Sequence, residues 1–359
     1  MRLLVWQWGK RGAGPRVAGE MAQALGRVPG MDVTLSLSTG SELLRSAAPP
    51  PCALPVRTYR GLLGFTVRLL QTPVLAPALA RRVAALRPDA ALCAMPGPLD
   101  LLMASALRRA GVPFFVVVHD ADVHPGDGLP LQMTLQRALL RRSQGLVALS
   151  AHVADRLRAQ GLAQGRPLLT ASLPPLLFGT QKPPLPLAHR GPLRLLSFGR
   201  LLPYKGLDLL ADALTRLGNR PELEVRVVGQ GPESDALAAL RALPHVSVEN
   251  RWVPEDELAR LIAWSDALVL SHREASQSGP AAAAVAARRW VVSTRVGGLA
   301  EQLGSEPMAI LCEPDGASLA GGIARLLDET ARPPATELAA GQWQLTADRL
   351  AAELSRTLG

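Results

Sequence analysis

Cysteine is scarce in this chain, with three residues, Cys52, Cys93 and Cys312, among 359. They lie far apart and are odd in number, so they make neither a disulfide framework nor a metal-ligand spacing, and they fit a reducing compartment. Aromatic residues make up only 4%, and no basic run is interleaved with them, which argues against a nucleic-acid partner. No stretch approaches about 18 uninterrupted apolar residues, so no transmembrane helix is expected. The opening MRLLVWQWGKRG holds an apolar run of about six residues, too short for a signal-peptide core. Two nucleotide fingerprints are also missing. Gly229-Gln230-Gly231 has no third glycine and no suitably placed acid, which argues against NAD, and Gly9 to Gly14 does not end in the Gly-Lys-Ser/Thr of a Walker loop. No internal repeat at a solenoid period is visible.

What the sequence does contain is apolar periodicity and positive charge. A hydrophobic share of 48% is ample for sizeable cores, and the length suggests about two to three domains. Lys+Arg number 39 against 30 Asp+Glu, a formal charge of +9. That balance favours anionic partners such as nucleotide diphosphates or an acidic membrane surface. The segment from Arg57 to Arg87 spaces apolar residues with arginines. It fits either a membrane-facing cationic amphipathic surface or a core-facing helix pair with solvated arginines.

Short β-branched or apolar runs alternate with helical patterns throughout. Strands are expected at Leu3–Trp8, Val33–Ser38, Ala91–Met95, Phe114–His119 and Leu146–Ser150. After residue 192 they are expected at Leu193–Gly199, Val225–Gly229, Val246–Glu249, Ala267–Ser271, Val291–Thr294 and Ala309–Cys312. Helices are expected between them, among them Pro15–Leu25, Leu129–Arg142, Glu255–Trp264 and Ser318–Leu327. Such alternation predicts an α/β fold of parallel sheets covered on both faces, with ligands at the carboxyl ends of the strands. The Pro-rich stretch of about 172–191 reads as a linker. It divides a domain of residues 1–185 from one of 186–342, and a terminal helix at 343–359 could return to the first.

Arg200 and Lys205 stand between a buried-looking strand ending in Gly199 and the apolar helix that opens at Gly206. Two fixed cations beside a helix amino terminus suit a diphosphate, because backbone N–H groups and the helix dipole favour anions and arginine adds a planar fork. A second constellation runs from Ser271 to Leu303. A polar loop carries Glu274, Gln277 and Ser278, then Gly279 precedes Pro280 and a run of alanines whose thin helix can approach a phosphate or sugar closely. Gly297-Gly298 repeats the arrangement, with Glu301 one turn into its helix. Gly229 closes a further strand at the same edge. In the first half, His119-Asp120 ends an apolar strand, where a histidine can donate to a sugar hydroxyl or phosphate. His119 as a satisfied core residue and Asp120 as a cap remain open. Asp120 and Asp122 also form Asp-x-Asp, but no metal is expected there. The loop from Asp122 through His124 to Gly126 reads as acceptor-side.

SFGRLLPYKG, VVGQG, NRWVPEDEL and SHREASQSG followed by WVVSTRVGGLAEQ, in this order, resemble the retaining nucleotide-sugar glycosyltransferases of family four. The resemblance covers most of residues 193–328. In the first half it rests on GKRGAG and HDADVHPG. It implies the GT-B architecture, two Rossmann-like lobes with a cleft between them, and no metal cofactor. It also implies that Arg200 and Lys205 hold the diphosphate of a UDP- or GDP-sugar and that Glu274 contacts the donor sugar. Gly279 to Ala281 would offer backbone to the phosphates, and Gly12 would lie in a loop facing the reaction centre. The sequence departs from the family where a second glutamate, about eight residues after the first, holds the ribose. Ala282 and Ala283 stand there, as in a branch with the wording Glu-Ala-Ser-Gln-Ser-Gly, and Glu301 is a candidate substitute. Arg288-Arg289-Trp290 also replaces the usual Gly-x-Pro.

The expectation is therefore a cytoplasmic glycosyltransferase, with attachment to the inner face of a membrane left open. It would act on a glycan or lipid-linked acceptor. A non-catalytic relative that binds nucleotide within a membrane glycan-assembly complex is the main alternative, and a sugar-nucleotide epimerase a more distant one.

Overall fold

The computed structural model describes residues 1–46, 48–124, 126, 131–179, 183–328 and 341–358. Contacts divide the chain into two compact units. The first is made of residues 1–122, 128–172 and 341–359, and the second of 123–127 and 173–340.

The first unit is built on strands β1 (Arg2–Gln7), β2 (Asp32–Leu37), β3 (Ala90–Cys93), β4 (Phe114–Val118), β5 (Gly145–Ala148) and β6 (Leu168–Thr170). They form one parallel sheet in the order β2-β1-β3-β4-β5-β6. Every residue of β3, β4 and β5 is buried. Continuous apolar runs such as FFVVV, rather than alternating ones, follow from helices covering both faces. β6 is short and partly exposed, and its three residues, LLT, give too little pattern to be read from sequence.

The second unit contains β7 (Leu193–Arg200), β8 (Leu223–Gln230), β9 (Val246–Asn250), β10 (Ala267–Leu270), β11 (Trp290–Thr294) and β12 (Ala309–Cys312). Their order is β12-β11-β10-β7-β8-β9, again all parallel. The chain builds β7 to β9 outward in one direction, then returns to the other side of β7 for β10 to β12. The two crossovers part between β7 and β10, and ligands bind at such a switch point, outside the carboxyl ends of the strands. Both units are thus Rossmann-like α/β layers, and the fold is GT-B.

The division between units falls at 172/173 rather than near residue 185. The Pro-rich segment is bonded into the second unit and is not a free linker. The Leu176 N–H donates to Ala282 O at 3.1 Å, and the buried Arg289 donates to Pro184 O at 2.6 Å. Asp266 accepts from the N–H groups of Leu187 and Arg194 and pairs with His189. The terminal helix, Gln342–Leu358, packs against the helix Ala13–Gly26 of the first unit.

Candidate active site

The carboxyl ends of β7 and β10 bring most of the sequence-predicted residues of the second half together. Arg200 ends β7, opposite Gln230 of β8. A 3₁₀ turn, Pro203–Lys205, follows, and Gly206 at φ +63° opens the helix Leu207–Leu217. A methyl group on Gly206 would collide with the carbonyl of Ser271, so the two loops approach backbone to backbone. Ser271 Oγ donates to Lys205 O at 2.9 Å, and the Arg273 N–H donates to Tyr204 O at 2.8 Å. Gly229 is equally constrained, since a side chain there would strike the carbonyl of Gly199. These contacts fix the cations to a rigid sheet edge.

Tyr204 organises the charges. Arg200 Nη2 donates to its hydroxyl at 3.0 Å, with the guanidinium carbon 5.7 Å from the ring centroid. Lys205 Nζ stands 5.2 Å from the same centroid. Two cations on one ring repel each other, an arrangement relieved by a multivalent anion. Lys205 Nζ also donates to His272 Nε2 at 2.8 Å. Burial first, then the charge of Lys205 and the neighbouring His124, holds His272 well below the usual imidazole range. The ring is therefore neutral at pH 7 and can accept a hydrogen bond from the ammonium.

His124 stacks on Tyr204, with ring centroids 4.6 Å apart and planes at 17°. Its Nδ1 lies 3.0 Å from Glu274 Oε1. The residue read as acceptor-side in sequence, His124, therefore sits in the second unit against Glu274.

The start of the helix Gly279–Ala286 completes the edge. A methyl group on Gly199 would lie 4.0 Å from both Lys205 Nζ and a ring carbon of Pro280, so ammonium and helix start face a common point. Ser278 is the N-cap; its Oγ accepts from the Ala281 N–H at 3.3 Å. Ala282 N–H bonds to Ser278 O at 3.1 Å, and proline has no N–H. The backbone donation expected of Ala281 is thus already taken inside the helix. Gly279 is what remains at the helix start, with open space where its side chain would be. Gln302 clamps the cap from the neighbouring helix Gly297–Leu303. Its Oε1 accepts from the Ser278 N–H at 2.9 Å and its Nε2 donates to Ser278 O at 3.1 Å. Gln277 is half-buried beside the cap, and Glu301 is exposed on the same helix as Gln302. Ala282 and Ala283, where a second glutamate would be expected, are packed in the core.

Three predicted residues belong to the first unit. Gly12, at φ +79° with nothing within 4 Å of an added methyl, precedes the helix Ala13–Gly26, which has no side-chain cap. His119 and Asp120 follow β4. His119 is buried, and burial lowers its pKa against the opposing effects of Asp120 and the Ala94 backbone. Asp122 accepts from Arg156 at 2.7 Å and Gln160 at 2.9 Å, so one carboxylate of the Asp-x-Asp pair is engaged by protein donors.

Sequence reading missed His272, Tyr204 and Gln302 as parts of the site. The one available signal was their position, in the loops that follow β7 and β10 and on the helix beyond β11.

Comparison with known proteins places both halves of the chain among glycosyltransferase domains. Residues 12–170 match the family model of the glycosyl transferase 4-like domain, and residues 192–329 that of glycosyl transferases group 1. The chain is similar to the 2-deoxystreptamine glucosyltransferase of Streptomyces kanamyceticus, at 28% identity over 68% of this chain and 70% of that one. It also resembles the GDP-mannose:glycolipid 4-beta-D-mannosyltransferase of Xanthomonas campestris pv. campestris. There the identity is 28%, over 42% of this chain and 45% of the relative, less than half its length. Among solved structures, Anabaena HepE in complex with UDP and glucose superposes with a TM-score of 0.69 at 17% identity, covering 99% of this chain and all of that one.

Proposed function

We propose that this chain, a glycosyltransferase of the GT-B fold, moves a sugar from a UDP- or GDP-sugar to a glycan or lipid-linked acceptor with retention of anomeric configuration. The observation that carries the reading is the convergence of Arg200 and Lys205 on Tyr204, beside the start of the helix Gly279–Ala286. As the bond between the anomeric carbon and the phosphate oxygen breaks, negative charge grows on the departing diphosphate. Fixed cations neutralise it without reorganising, and each such interaction lost costs about 3–4 kcal/mol of transition-state stabilisation. Glu274 would accept from the donor sugar's hydroxyls, and neutral His119 could donate to one. The chemistry needs no metal on this account. Glu301 is proposed to hold the ribose, and an unchanged donor KM in Glu301→Ala would remove it from that role.

Turnover of a donor panel tests the reading. Arg200→Ala and Lys205→Ala should each lower kcat by roughly a hundred- to a thousandfold while leaving Tm close to wild type. Near-wild-type turnover in either would refute the assignment. The packed alanines at 282 and 283 favour one rival, a binding protein that holds nucleotide without turnover. Nucleotide binding with no release of UDP or GDP from any donor would support it.

A further inference from the structure

Among the described residues, the exposed large hydrophobics concentrate on the first unit. Two helices, Gly61–Leu70 and Thr72–Leu86, meet at a bend of 77°. Of eleven exposed large hydrophobic residues among those described, six fall between positions 62 and 74. Leu62, Leu63, Leu70 and Val74 are 71–80% exposed. The first helix buries only Phe65, whereas the second is anchored in the core by Ala76, Leu79, Ala80 and Val83. An ordinary core-facing pair would hide these leucines, so that reading of the sequence is set aside. The charge is equally one-sided. Residues 43–88 contain seven arginines and no Asp or Glu, a contribution of +7 to a chain total of +9. Arg57, Arg60 and Arg81 are exposed, and Arg68 and Arg82 are held by the carbonyls of Thr58 and Pro55.

We propose that this arginine-bordered elbow docks on an anionic lipid bilayer, inserting its leucines among the acyl chains while the arginines meet the headgroups. An exposed apolar patch of this concentration marks an interaction surface, and a cationic rim selects a negatively charged one. The helices lie on the bilayer rather than cross it. No single described helix is long and apolar enough to span, and the far half of the second helix belongs to the protein core. A second copy of the chain is a poor occupant, because pairing the elbows would oppose two sets of exposed arginines, Arg57, Arg60 and Arg81 among them.

Flotation of the full chain with phosphatidylcholine vesicles, with and without phosphatidylglycerol, tests the proposal. Binding should require the anionic lipid, fall at least roughly tenfold when the salt is raised past about 0.5 M, and be lost in Leu62→Ser/Leu63→Ser/Leu70→Ser with Tm unchanged. Arg57→Glu/Arg60→Glu should lose it as well. Equal binding to neutral vesicles, or none to either, would overturn the proposal. So would a dimer in solution that the serine variants dissociate, since a second copy would then cover the face.

A separate observation, resting on the reading of Lys205 as a phosphate ligand, assigns a positioning role to His272. Its neutral Nε2 accepts from Lys205 Nζ at 2.8 Å, its ring stands edge-on to Tyr204 at 6.3 Å, and its carbonyl accepts from the buried Thr294 hydroxyl at 2.6 Å. We infer that His272 aims the Lys205 ammonium at the diphosphate. His272→Leu, which fills the space without an acceptor, should lower kcat by roughly ten- to a hundredfold with a smaller change in KM. His272→Gln, whose amide oxygen reaches the same point, should recover most of the loss. Equal rates in wild type and His272→Leu, or equal losses in both variants, would refute the role. Lys205→Ala separates the two claims: if it keeps full turnover, the phosphate reading itself fails.

Discussion

Lysine is nearly absent from this chain. Of 39 cationic residues only Lys10, Lys182 and Lys205 are lysines, and Lys205 stands where an ammonium fits between an imidazole nitrogen and a helix start. A guanidinium is planar and larger and would not place a compact point charge there. Arg200 and Lys205 were legible in sequence because charges between a strand and a helix break a local pattern. His272 was not, since its bond to Lys205 spans 67 positions and a histidine after a strand carries no periodic signal. A second buried titratable residue, Asp100, bears on stability. Its Oδ2 accepts from the Gly97 N–H at 2.7 Å and from the Cys93 thiol at 3.3 Å. Burial raises its pKa to about 6. The folded state keeps this proton up to about pH 6 and the unfolded chain releases it near 4, so the contribution is full below about pH 4 and is lost as pH rises through 6, a change of about 3 kcal/mol. Asp100→Asn keeps the acceptor for Gly97 without titrating. Urea unfolding at several pH values should show the variant gaining on wild type between pH 4 and 7, and parallel curves would contradict the assignment.

At the scale of elements, strand positions were largely readable and strand ends were not. Ala91–Met95 was expected, whereas β3 is Ala90–Cys93, because the carboxyl edge turns into loops whose geometry depends on long-range bonds. The polar loop after β10 was also readable, but what holds it was not. Gln302 bonds both backbone groups of Ser278, and no local pattern in GGLAEQL announces that partnership. Gln302→Ala leaves the Ser278 N–H without this acceptor and its carbonyl with the Ala282 N–H alone. It should cost roughly 1–3 kcal/mol and raise the donor KM more than it lowers kcat, as steady-state kinetics with denaturant titration would show. A change in kcat alone would place Gln302 outside donor binding. Arg289 shows a similar substitution of means. Where the family that the chain resembles has Gly-x-Pro, the buried Arg289 guanidinium holds Pro184 O, and burial brings its pKa down to about 10 against the opposing charge of Asp266.

At the scale of the whole molecule, each unit carries its own sheet and core, and the residues proposed to hold the diphosphate belong to the second. The helix Gln342–Leu358 follows the second unit in sequence but buries Ala347, Leu350, Ala351 and Leu354 as part of the first. Ending the chain at residue 341 should therefore destabilise the first unit by roughly 4 kcal/mol, the worth of two leucines and two alanines. Nucleotide affinity should be left unchanged. Calorimetric unfolding beside a binding titration would show it, and a parallel loss of affinity would mean that the units are not separable in this way. The cationic elbow, on the first unit, is proposed as a second anion-directed surface, and residues 43–88 alone contribute +7 to the chain total of +9.

The central claim is that the edge formed by Arg200, Tyr204, Lys205 and the start of the helix Gly279–Ala286 holds a nucleoside diphosphate. Titration calorimetry of UDP and GDP against wild type, Arg200→Ala and Lys205→Ala measures it directly. One of the two nucleotides should bind wild type, with Kd rising by at least roughly tenfold in each variant, the worth of one charge-assisted hydrogen bond. Unchanged Kd values in both variants, or no binding of either nucleotide to wild type, would contradict it.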